Sequence, residues 1–221
     1  MKVYCLPSKI QALVFDMDLT LYSNAEYGEF QIDSMVERLG IFLGLSFKEM
    51  KSRIDKARKD WALSSGGKKQ SLSNIIQSYG ISMEEMVHWR EELFEPKKFL
   101  VEDSRLERTL AELARSFALG VVSNNPVLII RKTLKALGVE KCFPFIVGLD
   151  TCMVSKPHEL PFRKFSEISK LPLETCVSIG DRFDIDLGIP LSMGMGGILV
   201  DGVEDVYNLP DLLIKGEAYD F

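Results

Sequence analysis

The chain has 221 residues, enough for one large domain or a domain with a sizeable insert, and its 46% hydrophobic and 27% charged residues exclude a disordered chain. A net charge of −5 argues against nucleic acid held on a broad basic face, yet leaves room for a locally cationic pocket. No apolar run approaches the roughly 18 residues that a membrane span needs, so no membrane partner is expected, and residues Met1–Gln11 read as neither signal nor transit peptide.

The first predicted element is a strand, Ala12–Asp16, near-continuously apolar and ending in an acid. Such runs are characteristic of strands covered on both faces of a parallel sheet. Residues 22–99 then change texture to helical periodicity without a strand-like run. Ile32, Met35, Val36 and Leu39 form one apolar stripe, and Met50, Ile54, Ala57 and Trp61 another. Ser46 and Glu49 spell a capping box with Leu45 and Met50 as its staple, and Ile81, Ser82, Glu85 and Met86 repeat it. Ser64–Lys69 is the one flexible-looking stretch.

Strands resume at Phe117–Ser123, Phe145–Asp150, Cys176–Asp181 and Gly197–Asp201. Helices are expected between them. Pro126–Leu137 has Asn125 as N-cap and Gly138 past its end. Pro161–Lys170 and Asp184–Met193 follow, the last weakened by Pro190. Strand–helix alternation of this kind predicts an α/β doubly wound parallel sheet, with residues 1–21 and 100–221 as its core and 22–99 as an inserted helical cap.

Ligands in such sheets bind at the carboxyl ends of the strands, and four segments deliver polar groups there. Asp16-Met17-Asp18-Leu19-Thr20 presents two carboxylates two residues apart, one to attack phosphorus and one to handle a proton, with Thr20 adding a hydroxyl. A simple strand-end turn accounts for that segment equally well. Ser123-Asn124-Asn125 opens a helix and makes a phosphate cradle, or merely caps the helix. Lys156 precedes a helix, where the dipole gives a cation nothing, so it is read as neutralising phosphate and a carboxylate, although taken alone a solvated surface lysine is the commoner outcome. In Gly180–Asp186, three acids in six residues repel one another unless a cation sits among them, and hard oxygen ligands suit magnesium, or else Asp184 and Asp186 merely charge the first turn of a helix.

In this order, the four segments resemble the motifs of the haloacid dehalogenase-like hydrolase superfamily: DxDx[TV] at Asp16–Thr20, a Ser or Thr at Ser123, a Lys at Lys156, and a GDxxxxD-type run from Gly180 to Asp186. The insert resembles the C1-type cap of its phosphatase branch. The resemblance implies that Asp16 is the nucleophile and Asp18 the general acid and base. It implies Mg2+ on the Asp16 carboxylate, the Asp18 backbone carbonyl and Asp181, with Asp186 helping, and a phosphoryl group held by Thr20, Ser123, Asn124 and Lys156. Asp184 competes with Asp186 for the supporting role. The run Lys156-Pro157-His158-Glu159-Leu160-Pro161-Phe162 departs from the family's usual KPDPxxF, so the helix start there is expected to differ.

The expectation is therefore a cytoplasmic, magnesium-dependent phosphatase acting on a small phosphorylated metabolite through an aspartyl phosphate. A phosphoglucomutase-like transferase uses the same motifs. Dehalogenases, by the resemblance, lack the second aspartate, and a receiver-type signalling module needs neither Asp18 nor a cap. Four scattered cysteines, Cys5, Cys142, Cys152 and Cys176, suggest reduced thiols rather than a zinc site. Lys68 and Lys69 are candidates for reading a second anionic group, against a solvated loop. His158 reads as a loop histidine, and His88 and Trp89 as packing or surface residues. Substrate identity and oligomeric state are not legible.

Overall fold

The computed structural model describes residues 1–67 and 69–215. Six strands form one sheet: β1 (Lys2–Tyr4), β2 (Ala12–Phe15), β3 (Ala118–Val122), β4 (Phe145–Val147), β5 (Cys176–Gly180) and β6 (Gly196–Leu199), in the order β1-β6-β5-β2-β3-β4. All pairs are parallel except β1 with β6. The doubly wound α/β core is thus present, with an antiparallel edge strand that the sequence did not announce. Three residues are too few to show a period, and β1 exists because β6 offers it a free backbone edge.

From β2 the chain winds outward through β3 to β4, then returns to place β5 on the other side of β2. That reversal opens a crevice at the carboxyl ends of β2, β3 and β5. Alternate residues of β2 feed two apolar layers: Leu13 and Phe15 pack in one with Val121 and Ile179, while Ala12 and Val14 pack in the other with Phe162 and Phe165. Each of these side chains larger than Ala12 contributes about 1.5–3 kcal/mol on burial.

The helices, in chain order, are α1 (Ala25–Leu43), α2 (Phe47–Ser64), α3 (Leu72–Gln77), α4 (Met83–Leu93), α5 (Ser104–Leu113), α6 (Val127–Ala136), α7 (Leu149–Cys152), α8 (Glu159–Ser169), α9 (Gly188–Ser192) and α10 (Val203–Val206). Helices α1–α5 lie between β2 and β3, the first four of them within residues 22–99, and no strand occurs there among the described residues. The cluster of those four is built from Met35, Leu39, Met50, Ile76, Met86 and Trp89, and it takes in Ile129 and Leu149 from the sheet side. Tyr22, Tyr27 and Phe99 pack instead in the larger layer of the sheet. Asn24 ties the two chain crossings together: its Oδ1 accepts from the Tyr27 amide as N-cap of α1, and its Nδ2 donates to the Phe99 carbonyl at 2.8 Å. No described helix is long and apolar enough to cross a membrane.

Several local readings need correction. The Ser46–Glu49 capping box is present. Ser82 caps α4, but Glu85 turns its carboxylate to the Trp89 indole N–H instead of completing a second box. The α2 stripe fades before Trp61, which is 43% exposed. The strand from Phe145 stops at Val147, and Asp150 lies in α7, its carboxylate accepting from the Val127 amide. Helix α6 starts after Pro126 with no side-chain cap, because the Asn125 side chain is engaged elsewhere. The start of α8 moves to Glu159, where His158 Nδ1 accepts from the Leu160 amide at 3.0 Å. The helix expected at Asp184–Met193 splits into a wide turn, Phe183–Leu187, and α9, with Pro190 inside α9.

Candidate active site

The strand-end segments converge. Lys156 reaches from the loop after α7 to the ends of β2 and β5, placing Nζ 2.7 Å from Asp16 Oδ1 and 2.7 Å from Asp186 Oδ1. Asp16, Lys156 and Asp186 are 3%, 1% and 1% exposed. Asn124 accounts for the Lys156 position. Its Oδ1 accepts from the Lys156 amide at 2.6 Å and its Nδ2 donates to the Lys156 carbonyl at 3.1 Å. Expected to hold phosphate directly, the Asn124 side chain is committed to placing Lys156.

Asp186 sits where it does because Gly180 has no side chain: a Cβ there would lie 2.5 Å from the Asp186 Cβ. The wide turn carries Asp186 back over β5, and its Oδ2 accepts from the Arg182 amide. Asp184 points away, its Oδ2 accepting from the Lys69 amide of the insert at 3.1 Å. Of the two acids that the sequence could not rank, Asp186 therefore joins the buried cluster.

Asp16, Asp181 and Asp186 bring carboxylate oxygens within 4.8 Å of one another. Asp16 Oδ2, Asp181 Oδ1 and Thr20 Oγ1 are buried without a hydrogen-bond partner. Burial, then the charge of Asp186, pushes Asp16 up to about 7 against the pull of Lys156 and Arg182. Burial also raises Asp181, opposed by Arg182. Lys156 is held cationic: burial works against its charge, and the two carboxylates more than offset that. Three carboxylates thus face two cations, Lys156 and Arg182, and the excess negative charge calls for a proton or a metal ion. Unpartnered hard oxygens in that group fit a small divalent cation such as magnesium.

Asp18 stands apart from this cluster. Its Oδ1 accepts from Tyr22 OH at 2.6 Å and Gln31 Nε2 at 3.0 Å, and its Oδ2 from Asn125 Nδ2 at 2.8 Å. Burial, then Asp18, raises Tyr22, so the phenol stays a donor. The turn after Asp18 passes through Leu19 at φ 59, a left-handed conformation costly for a branched side chain. Thr20 lies buried beside this turn, and Ser123 Oγ accepts from the Asn125 amide at 3.2 Å.

A cavity of about 240 Å³ opens over the site, lined by Asp18, Asn124 and Asp181 from the sheet side and by Gln31, Ser73 and Arg90 from the insert. Sequence reading missed Tyr22, Gln31, Asn125, Arg90 and Arg182. Two left a trace: Gln31 falls four residues before Met35 on the buried face of α1, and Arg90 four after Met86 on that of α4. A polar residue on an apolar stripe is a readable anomaly. Lys69 does not line the cavity, and Lys68 lies outside the described residues. His88 is an exposed partner of Glu92, and Trp89 is core. The cysteines are unpaired.

The chain is similar to known proteins along its length. A phosphoglycolate phosphatase of Colwellia psychrerythraea is 33% identical over 79 residues, a match spanning 36% of this chain and 35% of that enzyme. A phosphoglycolate phosphatase of Neisseria meningitidis is 25% identical over 221 residues, covering 95% of this chain and 86% of that one. Among solved structures, a HAD phosphatase from Thermococcus onnurineus superposes with a TM-score of 0.64 at 20% identity, over 93% of this chain and 98% of that one, a likeness of fold. The model of the haloacid dehalogenase-like hydrolases matches residues 13–195, a span that takes in the strand-end acids, the helical insert and the Lys156 loop together, and the chain belongs to that family.

Proposed function

We propose that the protein is a magnesium-dependent phosphatase that hydrolyses a small phosphorylated metabolite through an aspartyl phosphate on Asp16. The observation that carries this reading is the pair of Asp16 oxygens: Oδ1 is pinned by Lys156, while Oδ2 is unpartnered. A carboxylate fixed at one oxygen and bare at the other is oriented for in-line attack on phosphorus. Names of the Colwellia and Neisseria relatives support phosphatase chemistry.

In this reading Asp16 attacks the phosphoryl group and Asp18 protonates the departing alcohol. Asp18 then takes a proton from the water that opens the acyl phosphate. Tyr22, Gln31 and Asn125 hold the Asp18 carboxylate in one orientation for both steps. Lys156 neutralises the transferring group, and Thr20 and Ser123 add hydroxyls to it. Asp16, Asp181 and the Asp18 backbone carbonyl, with Asp186 beside them, are the groups to hold magnesium, which when bound supplies positive charge against the phosphoryl oxygens.

The insert is the cap in this reading. Asp16 is 3% exposed, so substrate reaches it only when the surrounding groups part. The crossings near residues 21 and 100 are the proposed hinge, and the contacts of Ser155 with Asn74 and of Asp184 with Lys69 are the latch that opens.

Two variants test the mechanism. Asp16→Asn is expected to form no phosphoenzyme and give no turnover, and chelation of magnesium to abolish wild-type activity reversibly. Asp18→Asn should lose roughly 10²–10⁴ in rate on alkyl esters and least on a nitrophenyl ester, whose leaving group needs no proton. With the nitrophenyl ester a phosphoprotein should accumulate, seen by mass spectrometry after acid quench and labile to hydroxylamine. Turnover by Asp16→Asn, or phosphate found on Ser123, defeats the proposal.

A further inference from the structure

Arg90 on α4 is a buried cation without a counter-ion. The residue is 5% exposed, Nη1 donates to the Met86 carbonyl at 3.3 Å, and Nη2 donates to Ser73 Oγ at 3.0 Å. Among the described residues no carboxylate pairs with it, and Asp18 is the one acid whose charge reaches it. Burial, opposed by Asp18, pulls its pKa down to about 10, which leaves it charged at neutral pH. Two neutral acceptors serve two of five guanidinium N–H groups. Burying a charge on those terms is costly. As a brace between α3 and α4, a neutral amide or a thioether would serve at lower cost.

What distinguishes the position is where it opens. Arg90 lines the same cavity as Asp18, Asn124 and Asp181, from the opposite wall. Arg182 lines that cavity too, but its charge is engaged by Asp181 at 3.5 Å and Asp186 at 3.8 Å, and those acids raise its pKa further above the ordinary arginine value against the effect of burial. Lys69, which the sequence offered for the recognition of a second anion, spends its amide on Asp184 and stays outside the cavity. Among the described residues of the insert, Arg90 is thus the cation that is both buried and lines the cavity.

Building on the phosphatase reading, we propose that Arg90 is a specificity residue that binds a second oxyanion of the substrate, a carboxylate or a second phosphate, at the end remote from Asp16. A planar fork with free N–H groups matches either oxyanion in a bidentate way. The neutral Gln31 and Ser73 beside it leave Arg90 as the insert's charge in this wall.

The test compares phosphate esters of ω-hydroxy carboxylic acids of two to four carbons, and the matching diol bisphosphates, with the neutral diol monophosphates. Wild-type protein with magnesium is expected to favour at least one anionic series over its neutral counterpart by tenfold or more in kcat/KM. The better series says whether carboxylate or phosphate is the partner. In Arg90→Gln that ratio should collapse towards one through KM, and Arg90→Lys should recover part of it. A wild-type preference below threefold, or a ratio that survives in Arg90→Gln, overturns the proposal. Should both variants fail to fold, the wild-type ratio alone decides. Should the wild type turn over neither these esters nor nitrophenyl phosphate, the phosphatase reading fails instead. Calorimetric binding of the anionic and neutral esters to the wild type then judges Arg90, with equal affinities counting against it.

Discussion

On the sheet side of the cavity, Lys156 sits 2.7 Å from both Asp16 and Asp186, while on the insert side Arg90 has a hydroxyl and a carbonyl for company. Both cations are buried to a similar degree. Lys156 belongs to a network whose members hold one another at the ends of parallel strands, where the backbone is rigid and each neighbour is fixed by the sheet. Arg90 belongs to a helix that touches the core through a few side-chain contacts. A charge that is already paired positions a reaction, whereas a charge left unpaired is available to a ligand.

The largest expected effect breaks the paired side. Lys156→Met leaves Asp16 and Asp186 facing each other with the more distant Arg182 as their remaining cation, and should destabilise the metal-free protein by about 3–5 kcal/mol, as removal of one partner from a buried pair does. Adding Asp186→Asn to that variant should recover part of the loss. Arg90→Met, by contrast, strands no charge and should cost far less. Urea unfolding of the three variants against the wild type checks this, and equal losses for Lys156→Met and Arg90→Met would erase the contrast between the walls.

A pH series sharpens the same contrast. Burial and Asp186 raise Asp16 from 3.8 to about 7, so the folded chain holds a proton there that the unfolded chain has released. The stability this contributes is fully present below about pH 4 and is lost as the pH rises towards 7. Metal-free wild type should therefore lose stability relative to Asp16→Asn across that interval. Added magnesium should stabilise the wild type more at pH 8 than at pH 5, because it competes with the proton. Thermal melting with and without chelator reads both effects, and a flat difference between the two proteins from pH 4 to 8 would contradict the Asp16 environment described.

The smallest expected effect lies at the seam between the walls. Ser155 Oγ donates to Asn74 Oδ1 at 2.8 Å and lies 3.1 Å from Ser71 Oγ, joining the Lys156 loop to the insert. Ser155→Ala should cost about 1 kcal/mol or less. It should also speed hydrogen exchange in residues 71–77 while leaving the strands protected. Faster exchange spread evenly over sheet and insert would mean that the two sides open as one unit.

Legibility followed the range of the interactions. Asp16, Asp18, Ser123 and Asp181 could be singled out because each closes or closely follows a short apolar run, and strand ends in a doubly wound sheet converge by topology, whereas Lys156 comes from the loop after α7. Ile32–Leu39 and the Ser46–Glu49 box were readable because helical period and capping are local. Asn125 was misread as a helix cap because nothing local says that α1 will bring Gln31 to it. Asp184 and Asp186 could not be ranked because a regular helix was assumed where the chain makes a wide turn over Gly180.

By itself, then, the sequence determined the alternating α/β core, and it marked a helical run after the first core strand and polar groups that follow apolar runs as candidates for a site, since all of these depend on short-range pattern and on the rules of parallel sheets. Only the tertiary structure decided which acids share Lys156, that Asn124 places that lysine, that three donors orient Asp18, and that Arg90 faces the cavity uncompensated. Those outcomes depend on which side chains meet across residues far apart in the chain, and pairing of that kind is set by packing.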